Sequence, residues 1–128
     1  ESVSIDEIIL ASEENFATYL YLAGDIHNAL TAFESIALRD KHNSKVLIKI
    51  ACLNCDMGRD KQAQTWFGRA LEVDNEDLDV YLHRGQFYLL MNNPTIALRD
   101  FRKACSSRET IPLAKASLGI SLFRLGMV

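Results

Sequence analysis

Alanine stands at Ala29, Ala63 and Ala97 and phenylalanine at Phe33, Phe67 and Phe101, each set at a constant step of 34. Two more columns keep the same step: Ile36, Ala70 and Ala104, and Gly24, Gly58 and Asn92. The stretches that carry them are "AGDIHNALTAFESI", "MGRDKQAQTWFGRA" and "MNNPTIALRDFRKA". A period of this length constrains the chain more than any other feature, because it requires one supersecondary unit, repeated and stacked. A fourth unit begins, with Gly119 one period after Gly85 and Gly126 one period after Asn92. The chain reaches Val128 before the next Ala and Phe of the series. Because Glu1 is not an initiator Met, the sequence is expected to be a fragment of something longer, with no membrane anchor of its own.

Each unit reads as a pair of helices. Over residues 78–91, Tyr81, Arg84, Gly85 and Tyr88 share one stripe at i, i+3, i+4, i+7. Asn92 and Asn93 break that pattern, and Pro94 sits where a first-turn proline is tolerated. Gly24 and Gly58 are helix stops, Asp25 is a candidate N-cap, and Asp60 helps start the next helix. No stretch sustains strand alternation. The expected fold is all-α, an α-solenoid of about seven helices and three and a half helix-turn-helix repeats. Their expected limits are 10–43, 44–77, 78–111 and a half repeat over 112–128, forming one array across 1–128. The small Ala lets paired helices approach, Phe fills the space between them, and a small residue one turn on admits the next unit.

Composition narrows the function. A hydrophobic fraction of 48% with 24% charged residues is globular. A net charge of −3, with Lys and Arg interspersed among Asp and Glu, disfavours nucleic acid, which needs a basic field. The longest apolar runs, such as "IILA", are far too short to span a bilayer, and the acidic opening from Glu1 to Asn15 does not resemble a signal peptide. Three cysteines without framework spacing point to a reducing compartment. No phosphate-binding Gly loop, paired-carboxylate site or Ser/His/Asp constellation is recognisable, so neither catalysis nor a cofactor is expected. "CLNC" is the one motif that suggests chemistry. Cys52 and Cys55 lie i, i+3 on a helix, and a zinc site would need two more ligands from Cys105, His27, His42 or His83, none of which forms a second close pair. A redox pair usually sits at a helix N-terminus, whereas this one precedes Asp56 and Gly58 near a C-terminus, where dipole and carboxylate oppose ionisation. The plain reading is two small apolar residues on one face. Thiol redox remains the remote alternative.

The columns resemble the tetratricopeptide repeat, whose pattern is W-x2-L-G-x2-Y, then A-x3-F, then P. The third unit matches best, with Tyr81 in the Trp column followed by Gly85, Tyr88, Ala97, Phe101 and Ala104. "ALEVDNEDLDVY" is similar to the family's inter-repeat turn, with Asn75 where Pro is usual. The Trp column departs from the family, holding Glu13, Leu47, Tyr81 and Lys115. "NEDLDVYLHRGQFYLL" followed by "ALRDFRKA" also resembles the seventy-kilodalton preprotein import receptors of the mitochondrial outer membrane, in their middle repeats.

The resemblance implies a concave groove lined by the first helix of each pair. One residue beyond the packing stripe is about 100° round the helix. The groove stripe therefore comprises Glu14, Thr18 and Tyr21; Ile48, Cys52 and Cys55; Leu82, Gln86 and Leu89; and Ala116, Ile120 and Phe123. The expected peptide-binding residues are Tyr21, Ile48, Cys52, Leu82, Gln86, Leu89, Ile120 and Phe123. Clamps for acidic tails in this family use Lys, Arg and Asn on this stripe, because a carboxylate needs charge-assisted donors. This stripe has no Lys or Arg and suits a hydrophobic or amphipathic segment. The resemblance implies preprotein segments as partners, with chaperones or other translocase subunits, and a cytosol-facing location at the mitochondrial outer membrane. The alternative is a co-chaperone or assembly-scaffold adaptor. Arg84, in a usually apolar column, is expected to reach a carboxylate such as Asp79 or to snorkel. Trp66 is expected to pack, and His83 to be half exposed. The final helix, with Leu118, Leu122, Phe123 and Leu125, lacks a companion and is expected to self-associate.

Overall fold

The computed structural model describes residues 3–106 and 112–127. The expected repeat limit at residue 111, like residues 1, 2 and 128, lies outside them. Among the described residues there are seven α-helices and no strand, so the fold is all-α. They are α1 (Ile5–Leu22), α2 (Ile26–Arg39), α3 (Ser44–Asp56), α4 (Asp60–Val73), α5 (Leu78–Leu90), α6 (Pro94–Ala104) and α7 (Pro112–Arg124). The starts of α3, α5 and α7 follow one another at exact multiples of the sequence period, and so do those of α2, α4 and α6. The chain divides into two compact units, Glu1–Val73 and Asp74–Val128. In the first, α1 packs on α2, α2 on α3, and α3 on α4. In the second, α5 packs on α6, α6 on α7, and α5 touches α7.

The helix ends repeat as strictly as the core. Gly24, Gly58, Asn92 and Gly126 all take positive φ, at 86°, 73°, 58° and 70°. Each ends a helix with the same pair of bonds. Gly24 N–H donates to Tyr21 C=O and Asp25 N–H to Leu20 C=O; Gly58 and Arg59 repeat this on Cys55 and Asn54. Asn92 and Asn93 do the same on Leu89 and Tyr88, and Gly126 and Met127 on Phe123 and Leu122. The left-handed residue turns the chain out of the helix while occupying carbonyls that would otherwise lack partners.

Helix starts are less uniform. Asn43 accepts from Val46 N–H, Asn93 from Ile96 N–H, and Asp77 from Asp79 N–H, with Pro94 in the first turn of α6. Asp25 occupies the N-cap of α2, but its side chain caps nothing. It accepts from Asn28 Nδ2 at 2.8 Å instead. Helix α1 begins at Ile5, upstream of residue 10, because Ser4 accepts from Glu7 N–H at 3.1 Å and so caps an extra turn.

The periodic residues form the core. Phe33, Phe67 and Phe101 are at most 2% exposed, and Ala29, Ala63 and Ala97 are fully buried. The small residues facing them, Ala17, Ala51 and Gly85, keep the same step and are buried. At Gly85 the approach is closest, since a Cβ there would lie 2.6 Å from Phe101 Cε1. In the second unit Leu82, Ala97, Phe101, Ala104 and Ala114 make one cluster, with Tyr81, Tyr88 and Leu118 packed against it. The Tyr81 hydroxyl donates to the Asn75 carbonyl at 2.8 Å, tying α5 to the turn before it.

Polar groups inside are paired. Asn54, almost fully buried, donates to Ile50 C=O at 2.8 Å. Arg84 reaches Asp100 rather than Asp79, because Asp100 is carried by α6 directly across from it.

Candidate functional site

The candidate residues lie on α1 and α3 in the first unit and on α5 and α7 in the second. In the first unit α1 and α3 are brought together at their C-terminal ends. The Tyr21 hydroxyl lies 3.5 Å from Asp56 Oδ2, a long hydrogen bond between helices distant in sequence. Asp56, then burial, push the Tyr21 phenol above its usual range, with Cys52 adding to the shift. Tyr21 is exposed, whereas Cys52 and Cys55 are half-buried.

The second unit repeats this join with different chemistry. Arg124 Nη1 donates to the Leu89 carbonyl at 3.0 Å, across the same sequence separation. Leu89 and Arg124 stand two full periods beyond Tyr21 and Asp56, so the same point of the period joins α5 to α7. Arg124 approaches a carbonyl at the C-terminus of α5, where a cation is favoured. Gln86 and Leu89 are half-buried, while Ile120 and Phe123 stand out at 47% and 74% exposure.

Two expected groove residues are not surface. Ile48 and Leu82 are 6% and 4% exposed. Helix α3 packs against both α2 and α4, so its buried arc includes Val46, Leu47, Ile48, Ile50, Ala51 and Leu53, and the exposed stripe of its N-terminal half is carried by Lys45 and Lys49 instead. Leu82 is enclosed by the α6 and α7 residues of the second-unit core. The rest of the stripe is accessible at least in part: Glu14, Thr18, Tyr21, Cys52 and Cys55 in one unit, and Gln86, Leu89, Ala116, Ile120 and Phe123 in the other.

Cys52 and Cys55 are held as thiols rather than thiolates. Burial pushes Cys52 up to about 11, with Asp56 adding to the shift. Burial pushes Cys55 up to about 12, with Cys52, Asp56 and Asp60 adding. Such groups are poor nucleophiles and poor metal ligands. No cluster of three or more His, Cys, Asp or Glu able to hold a metal is present among the described residues. His83 is half-buried, and burial lowers its pKa against the opposing pull of Asp79 and Asp77.

The repeat period contained a signal that stripe-by-stripe reading missed. Asp56 and Arg124 occupy one column, immediately after the stripe, and put an acid beside one patch and a base beside the other. Also missed was a cavity of about 480 Å³ in the first unit, whose lining includes Leu38, Lys41, Trp66 and Arg69. There the Arg69 guanidinium stacks 4.4 Å from the centre of the Trp66 ring, so Trp66 packs while keeping one edge open. Among the described residues no helix is long and apolar enough to cross a membrane.

Comparison with known proteins agrees with this geometry. Residues 78–110 match the family model described as "Tetratricopeptide repeat". Over 112 residues the chain is 27% identical to the human mitochondrial import receptor subunit TOM70, covering 84% of this chain but only 18% of that protein. In structure it is similar to the first tetratricopeptide domain of Spaghetti (RPAP3) bound to an HSP90 peptide, at TM-score 0.81 and 13% identity, covering 91% of this chain and 93% of that one. It is also similar to the Yersinia enterocolitica type III secretion chaperone SycD in complex with a peptide of the translocator YopD, at TM-score 0.80 and 15% identity, covering 98% and 99%. Residues 78–110 thus match a tetratricopeptide repeat, and the evenly stepped columns, recurrent caps and seven described helices make the described chain similar in fold to proteins of that family.

Proposed function

We propose that this chain is a non-enzymatic protein–protein interaction module, and that the exposed parts of its first-helix stripes take a hydrophobic or amphipathic peptide segment. The observation that carries this reading is the exposure of Tyr21, Ile120 and Phe123 at stripe positions. Large apolar side chains held on rigid helices lose little entropy on binding and suit the apolar face of a peptide. The likeness to TOM70 supports a role in receiving mitochondrial preprotein segments, with chaperones or other translocase subunits as further partners and a cytosol-facing place at the outer membrane.

A second reading is a co-chaperone or assembly-scaffold adaptor that grips acidic tails. Arg124, exposed beside the second-unit stripe, favours it. That cation is already engaged by the Leu89 carbonyl, and the stripe itself is apolar, so the first reading is preferred. The discriminating experiment is calorimetric titration with an amphipathic presequence-type peptide and with an acidic chaperone-tail peptide. The first reading expects the amphipathic peptide to bind and Leu89→Asp or Phe123→Asp to abolish binding. Binding of the acidic tail alone, lost on Arg124→Ala, would establish the second.

A further inference from the structure

Two second helices, α2 and α4, pack on α3, and the cavity of about 480 Å³ opens between them toward their C-terminal ends. None of its lining belongs to the first-helix stripe. Its floor is Leu47, 4% exposed, and Ala37, Trp66 and Val73 add apolar wall. Leu38, 76% exposed, stands at its edge. The ionisable side chains around it are Glu34, Lys41, His42, Arg69 and Glu72, and among the described residues none of them forms an ion pair. Trp66 and Arg69 are peculiar to this repeat. Their columns hold Ala32 and Ser35 one period earlier, and Asp100 and Lys103 one period later. Asp100 and Lys103 are engaged by internal partners, Arg84 and Glu76. Arg69 has no such partner, and its guanidinium lies 4.4 Å from the centre of the Trp66 ring. Stacking covers one face of a guanidinium and leaves its in-plane N–H donors free, a geometry that suits a carboxylate.

We propose that this cavity docks a helical segment of a partner protein that carries a bulky apolar side chain and, one turn from it, a single carboxylate. The apolar side chain enters over Leu47, beside Leu38 and Trp66. The carboxylate takes the in-plane donors of Arg69, with Lys41 on the same rim. Each wall offers one group per turn, which is the spacing of a facing helix. On α2 and the turn after it these are Glu34, Leu38 and Lys41; on α4 they are Trp66, Arg69 and Glu72. Because Glu34 and Glu72 share the rim, a run of acids is repelled, so the partner differs from an acidic chaperone tail. The site is also independent of peptide binding at the first-helix stripe, with which it shares no residue.

Trp66 is the chain's one tryptophan, so its emission reports on this site. The test titrates the intact chain with a capped, alanine-based helical peptide that carries one Phe and one Glu four residues apart. A saturable change in Trp66 emission is expected. Replacing the peptide's Glu by Gln, or Arg69→Gln in the chain, is expected to weaken binding about tenfold, and the two changes together no further. Replacing the peptide's Phe by Ala, or Leu38→Glu in the chain, is expected to abolish binding. Further Glu residues on the same face of the peptide are expected to weaken it. Both chain variants alter exposed side chains and should keep the parent's helical circular-dichroism signal. Phe123→Asp, which disables the groove stripe, should leave this binding intact and so separates the two sites. An unchanged Trp66 emission, equal affinity for the Glu and Gln peptides, or tighter binding of the acid-rich peptide would overturn the proposal. A concentration-dependent shift of Trp66 emission in the chain alone, abolished by Leu38→Glu, would also overturn it by assigning the cavity to a second copy.

Discussion

Arg84 and Asp100 form a two-point ion pair across the α5–α6 interface, with Nε to Oδ2 at 2.9 Å and Nη2 to Oδ1 at 2.7 Å. Asp100 is 2% exposed. The same column as Arg84 holds Phe16, Ile50 and Leu118 in the other units, so a charged pair has replaced an apolar contact in this unit alone. Hydrogen bonding to Asp100 holds the Arg84 guanidinium above its ordinary pKa despite its partial burial.

Breaking that pair from one side leaves a charge without its partner. Asp100→Ala should destabilise by about 3–5 kcal/mol, read as a lowered urea midpoint. Replacing both charges by apolar side chains of similar volume, Arg84→Met with Asp100→Leu, should recover most of that loss. Strict additivity of the two single substitutions would show that the pair does not act as a unit.

The cap column separates backbone from side chain. Asn92 holds φ 58°, which Gly adopts more readily. Asn92→Gly should raise the melting temperature, whereas Gly58→Ala should lower stability by about 1–2 kcal/mol, the ordinary penalty for a left-handed L-residue. Opposite signs at these two positions, one period apart, would confirm a shared conformation.

Packing against Phe is tightest at Gly85. Gly85→Ala should destabilise by about 1–3 kcal/mol despite the gain in helix propensity, because fully buried Phe101 has no room to retreat. Phe67→Ala should cost about 3–5 kcal/mol. A urea midpoint unchanged by the second substitution would remove Phe67 from the core.

The thiols should be inert near neutral pH. Their native pKa values of about 11 and about 12 lie above the ordinary 9.0, so the folded state retains protons that the unfolded chain releases. Their contribution to stability is complete below pH about 9 and is lost as pH rises through about 11 to 12. Alkylation of Cys52 and Cys55 at pH about 8 should be slower than that of a free cysteine. A faster rate would revive redox chemistry at this pair.

The repeat was legible because packing repeats: Ala, Phe and the cap residue each answer a local geometric demand. The stops at Gly24, Gly58 and Asn92 could be read for the same reason. The burial of Ile48 and Leu82 could not, since it depends on how many neighbours enclose a helix rather than on its own periodicity. Arg84's choice of Asp100 over Asp79 was hidden likewise, because the partner lies across a hairpin and not along one helix. The residue type of Asp25 suits a cap, but Asn28 competes for its carboxylate.

Peptide binding by the exposed apolar stripe residues of the first helices is what the proposed function stands on. Calorimetry of the chain with an amphipathic presequence-type peptide, repeated with Phe123→Asp, tests it most directly. Saturable binding is expected, and the substitution should abolish it while the helical circular-dichroism signal stays unchanged. Equal affinity before and after the substitution, or no binding of any apolar peptide, would contradict it.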